Sequence, residues 1–146
     1  MIDVEKIEDG LITAIKRAIT SLKTVDTYEA EYDDAAPQRL LALSPFCLIY
    51  YGGLVPVDGE RFQDGEIGIC KQEFHFFFGS HSLRSKREGQ LGCYGILKSL
   101  RDLLNGNGVE VEGGDSTPEF RLDEERFLSS QHGLIVYRAV YSIYQL

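Results

Sequence analysis

The chain has 146 residues, 43% of them hydrophobic and 26% charged, with a formal net charge of −8. That is one domain's length, 1–146, able to bury about two-thirds of its unfolded surface. The composition excludes wholesale disorder, and the acidic balance argues against general nucleic-acid binding, which needs a cationic footprint.

No apolar run approaches the ~20 residues that span a bilayer. The opening Met1-Ile-Asp-Val-Glu5 has neither a basic nor an apolar leader stretch, so no secretory signal is expected and cytoplasmic synthesis is. Cys47, Cys70 and Cys93 are an odd number without CxxC spacing; they read as reduced, mostly buried thiols.

From Asp3 to Leu22, Ile7, Leu11, Ala14, Ile15, Ala18 and Leu22 recur every three or four positions, which predicts an amphipathic helix. Gly10 weakens it by about 1 kcal/mol relative to Ala. Lys23–Ala30 alternates like an edge strand. Asp34 could cap a short helix with Pro37 in its first turn, ending before Ser44-Pro45; capping explains Asp33 and Asp34 better than a metal, since no carboxylate cage surrounds them.

Phe46–Tyr51 is apolar on both alternating faces, the pattern of a central strand covered on both sides. Gly52-Gly53 is expected to end it, with a loop or hairpin-like excursion over 54–64. A long aromatic strand follows over Glu66–Phe78. It sets Phe74, Phe76 and Phe78 on one face and Lys71, Glu73, His75 and Phe77 on the other. A polar break is expected at Gly79–Ser82, where Ser80 or Ser82 can cap a helix over Leu83–Leu104. Gly89, Gly92 and Gly95 form a ridge along that helix, which suggests close approach by another backbone or a break near Gly89.

Asn105–Gly108 stops the helix, and the acidic stretch 109–117 reads as an exposed loop, with a short strand inside it as the alternative. Phe120–Leu128 and Leu134–Tyr144 read as a hairpin joined at Gln131-His132-Gly133. The last strand is apolar almost throughout and belongs inside the sheet. The order implies an α+β domain: a mainly antiparallel mixed β-sheet with two main helices packed on it.

No reaction centre is visible. His75, His81 and His132 lie in separate segments and lack ligand spacing. No GxSxG, P-loop or dinucleotide motif occurs, and no cofactor or metal is expected. A Cys93–His81 pair would be the least implausible nucleophile and base of a small hydrolase. Glu124 and Glu125 point to opposite sides of a strand and cannot act together. The densest cationic cluster is Arg84, Lys86 and Arg87. It reads as a solvated helix face or as a contact surface for an acidic neighbour, including another copy of the chain.

The segments "TYEAEYDDAAPQRLLALSPFCLIYYGG" (27–53) and "REGQLGCYGILKSLRDLLNG" (87–106), with the opening helix and closing strands, resemble the small tail-assembly proteins of Mu-like phages and prophages. These are encoded near the tail sheath and tube genes. The size and helix–sheet order are also similar to lambda-type tail terminators, which form hexameric rings on the tail tube; this second likeness is at the level of fold. The resemblance implies a virion structural protein and no catalytic residue. It implies a homo-oligomeric ring, a hexamer by the lambda-type likeness, whose partners are further copies of itself, the tail tube protein and the head–tail neck proteins. Nucleic-acid specificity and membrane contact are not expected. The implied location is the host cytoplasm during assembly and then the virion tail. The resemblance leaves a head–tail connector or minor tail component as the alternative. Free edge strands would be available for pairing with neighbours.

Overall fold

A computed structural model describes residues 2–28, 37–56, 70–81, 86–131 and 133–145. Its elements run α1 (Val4–Ala18), β1 (Thr24–Thr27), α2 (Pro37–Leu43), β2 (Phe46–Pro56), β3 (Cys70–His81), α3 (Lys86–Leu104), β4 (Arg121–Gln131) and β5 (Leu134–Gln145). The five strands form one mixed sheet in the order β1-β2-β3-β5-β4. Among the described residues, β1–β2 is the one parallel strand pair. A parallel pair needs a crossover between its strands, and the segment containing α2 supplies it. The expected α+β class holds, with β5 inside the sheet and α2 added to the two main helices.

Strand alternation sorts the side chains onto two faces. On the front, Phe74, Phe76, Phe78, Cys47, Ile49, Ala139, Tyr141 and Ile143 pack with Ile7, Leu11 and Ile15 of α1 and Ile96, Leu97, Leu100 and Leu104 of α3. On the back, Phe46, Leu48, Phe77, Leu134 and Val136 pack with Leu40 of α2. A buried Phe or Leu contributes about 1.5–3 kcal/mol, so the three front-facing phenylalanines of β3 are the main anchor for both large helices.

Several expected boundaries move, each for a local reason. α1 stops at Ala18 rather than Leu22: Ile19 leaves helical geometry at φ −119° and ψ 78°, although its N–H still bonds the Ile15 carbonyl at 2.8 Å. Gly52-Gly53 does not end β2. The register shifts between Tyr51 and Gly53, Gly53 takes φ +126°, and the strand continues to Pro56; the pair is a β-bulge. Nor does β3 break at Gly79. A Cβ there would lie 2.7 Å from the Phe46 ring, so this glycine admits an aromatic side chain, and β3 runs on to His81.

α3 is continuous from Lys86, with no break near Gly89. The 109–117 stretch is not exposed throughout: Glu110 and residues 112–116 face solvent. Val109 and Val111 are buried in the front core, held by Val109–Thr117 backbone bonding and a Glu110–Ser116 bridge. Among the described residues, no helix is long and apolar enough to cross a membrane.

Candidate functional site

Two residues of the cationic cluster lie at the start of α3. Lys86 and Arg87 open that helix, with their side chains outside the described residues, as is Arg84 altogether. His132 and the Asp33-Asp34 pair are likewise outside them.

Cys93 and His81 do not form a pair. Cys93 projects from α3 into the front core, fully buried, and its thiol donates to the Ile135 carbonyl at 3.3 Å. Burial pushes that thiol up to about 11, against a smaller lowering by the Ser80 backbone N–H, so the nucleophilic thiolate is scarce near neutral pH. His81 has the opposite parity to the front-facing Phe76 and Phe78 and lies on the back of β3; its Nδ1 meets the Ser44 hydroxyl. The sheet separates the two. Cys47 is also fully buried, its thiol raised to about 12 by desolvation.

The described polar side chains that do converge lie on the back of the sheet beyond the reach of α2. Tyr50, His75, Val140 and Glu124 share one register row, and Gly53, Glu73, Ser142 and Arg121 the next. His75 stacks on Tyr50 with ring centroids 4.6 Å apart, and its Nδ1 lies 2.9 Å from the Tyr50 hydroxyl. Its Nε2 is 3.5 Å from Glu73. Burial holds the imidazole below its ordinary pKa, with Arg138 acting the same way and Glu73 and Glu124 opposing. In the neutral ring the Tyr50 O–H donates to Nδ1, leaving the proton on Nε2, toward Glu73.

Around this histidine the charges balance. Lys71 bridges Asp123 at 3.2 Å and Glu73 at 3.7 Å, while Glu124 receives Arg126 at 2.7 Å and Arg138 at 3.7 Å. The fit is incomplete: Arg138 Nε and Ser142 Oγ are buried without a hydrogen bond. A buried unsatisfied polar atom costs about 1–3 kcal/mol, so this face gains from a polar cover. It offers no activated nucleophile beside the imidazole, and among the described residues no three His, Cys, Asp or Glu gather as a metal site.

Glu125 faces forward opposite Ala139 and bonds Arg101 of α3 at 2.8 Å, while Glu124 faces back opposite Val140. The two carboxylates are separated as their spacing requires. A groove of about 510 Å3 between α1 and the 108–112 segment sets Arg17 among Asp9, Glu110 and Glu112, without histidine or cysteine.

A second surface escaped sequence reading. Tyr94 of α3 and Phe127 of β4, 42% and 46% exposed, both pack edge-on against Tyr137, which stacks on the core ring of Phe78. The hydrogen bond of Tyr94 adds to burial in raising the Tyr137 hydroxyl to about 12. The Tyr137 front-face alternation was legible in sequence; the exposure of its two partners was not.

No protein-family model matches the chain, and no curated protein does.

Proposed function

We propose that this protein is a phage tail-assembly protein, a tail terminator or tail-completion protein that forms a ring at the head-proximal end of the tail tube. The observation that carries the reading is how exposed and engaged groups divide. All three thiols are buried, and the described histidines are engaged by Tyr50, Glu73 and Ser44. The outside carries a charge-balanced polar sheet face and an exposed aromatic corner at Tyr94 and Phe127. Such surfaces suit contact with other proteins. The segment resemblance at 27–53 and 87–106 supplies the setting.

The partners of this reading are further copies of the chain, the tail tube protein and the neck proteins. Arg84, Lys86 and Arg87 are proposed to add a cationic contact to an acidic neighbour or to the tube. The protein would be made in the host cytoplasm and end in the virion tail.

The test is imaging of gold-labelled protein added to purified, uncapped tail tubes. Label confined to the head-proximal end, in rings of uniform copy number, is the expected result. A chain that stays monomeric and unbound with tubes present sinks the reading. Label at the neck without tube binding, or scattered along the tube, would move it to a head–tail connector or a minor tail component.

A further inference from the structure

Asn105-Gly106-Asn107-Gly108 sets two asparagines, each followed by glycine, directly after α3. An Asn-Gly pair can react with itself. The glycine backbone nitrogen attacks the asparagine side-chain carbonyl carbon, and glycine has no Cβ to hinder the ring that forms. In sequence the two pairs are equivalent. In the fold they are not.

Asn105-Gly106 is tied to the sheet. Asn105 forms a parallel bridge with Phe120, and its Oδ1 accepts the Leu122 N–H at 3.1 Å. Gly106 takes the left-handed φ of +83° that closes a helix. Its N–H, the attacking group of this pair, donates to the Phe120 carbonyl at 2.8 Å. Attack would break that bond and pull the Asn105 side chain from the start of β4.

Asn107-Gly108 differs at the nucleophile. Among the described residues the Gly108 N–H meets no acceptor, and both residues are exposed. Asn107 caps α3. Its Nδ2 donates to the Leu103 and Asp102 carbonyls at 3.2 Å and 3.4 Å, and its N–H donates to the Leu104 carbonyl at 2.9 Å. The two side-chain bonds are at or beyond the long end of the ordinary range and hold the amide weakly. Packing also fixes glycine at 108, since a Cβ there would collide with the Thr117 carbonyl oxygen. The fold therefore keeps the reactive pair intact.

We propose that Asn107 is a site of spontaneous deamidation in the folded protein, that Asn105 is protected, and that the reaction undoes the cap on α3. The Gly108 nitrogen gives up its proton and bonds to Asn107 Cγ. The Cγ–Nδ2 bond breaks, and Nδ2 takes up a proton and leaves as ammonia, closing a succinimide. Water then opens the ring, at Cγ to give aspartate or at the main-chain carbonyl to give isoaspartate. One water is consumed and one ammonia released, and nothing is oxidised or reduced. The product replaces two donors at the helix end with a carboxylate beside the last carbonyls, the negative end of the helix dipole. Isoaspartate also lengthens the main chain between the Asn107 N–H, bonded to Leu104, and the Asn107 carbonyl, which accepts the Phe120 N–H at 2.9 Å. The reaction needs no partner and is independent of the assembly reading.

The test incubates the full chain in neutral, ammonium-free buffer and follows amide-to-acid conversion at each asparagine by peptide mass spectrometry. Enzymatic methylation of isoaspartyl carboxylates is a second readout, and a sample in denaturant gives the rate of each pair without the fold. In denaturant the two pairs should convert at similar rates. In the folded chain Asn107 should convert at least about tenfold faster than Asn105, the factor that one hydrogen bond at the attacking nitrogen is worth. Asn107→Gln should lose the isoaspartyl signal, because attack would have to close a larger ring. Asn107→Asp should melt about 1–3 °C below wild type. Folded-state conversion at Asn105 as fast as at Asn107, or none at Asn107 over the time in which the denatured chain converts, overturns the site. An Asn107→Asp variant that melts with wild type overturns the loss of the cap.

Discussion

His75 is the residue whose chemistry the fold changes in a measurable way. Burial lowers its pKa, so the unfolded chain binds more protons than the folded one as pH falls below about 6.5, the ordinary histidine value. Stability is therefore full above that pH and is lost as pH falls toward the depressed folded value. Removing the titration should flatten this loss. His75→Gln is expected to melt at a temperature that changes less than wild type between pH 7.5 and pH 5.5, a window chosen above ordinary carboxylate titration. Identical pH slopes for the two proteins would show that Glu73 and Glu124 compensate the burial fully. The motif search could not single out this residue, because its partner Tyr50 is 25 positions away and meets it only through the β2–β3 register.

At the scale of elements, two helix glycines with the same propensity cost are in opposite situations. Gly10 in α1 lies under the 108–112 segment, where a Cβ would be 2.7 Å from the Glu110 carbonyl oxygen and 3.3 Å from Val111. Overpacking costs about 1–3 kcal/mol and the gain in helix propensity about 1 kcal/mol, so Gly10→Ala should destabilise. Gly95 faces open space, so Gly95→Ala should stabilise the monomer by up to about 1 kcal/mol, or about 3 °C in Tm. Thermal melts of dilute protein check both signs.

The elements themselves were largely legible, because period-3.6 and period-2 patterns report burial directly. The glycines were less so. Gly52-Gly53 and Gly79 read as strand ends, but a bulge and a ring contact use the same residue type inside strands. Tyr94 and Phe127 likewise carry no sequence mark of exposure, since an aromatic residue at such a position reads equally well as core. Their surface placement follows from the tertiary position of α3 beside β4.

At the scale of the whole molecule, charge decides which contact can dominate assembly. A net charge of −8 makes copies repel one another, and salt screens that repulsion over a Debye length of about 10 Å at 0.1 M. Association through the apolar corners that Tyr94 and Phe127 form on each copy should therefore tighten as salt is raised from about 50 mM to about 500 mM. Association through Arg84, Lys86 and Arg87 against an acidic neighbour should loosen over the same range, because the attraction is screened with the repulsion. The corners are expected to govern, so the oligomer fraction measured by sedimentation should rise with salt. The triple variant Arg84→Glu/Lys86→Glu/Arg87→Glu should then assemble more weakly than wild type at low salt, through added repulsion, and approach it at high salt. Wild-type assembly that falls steadily with salt, together with a triple variant that assembles at no salt concentration, would transfer the subunit contact to the start of α3. The apolar corners would then be left for the tube or neck.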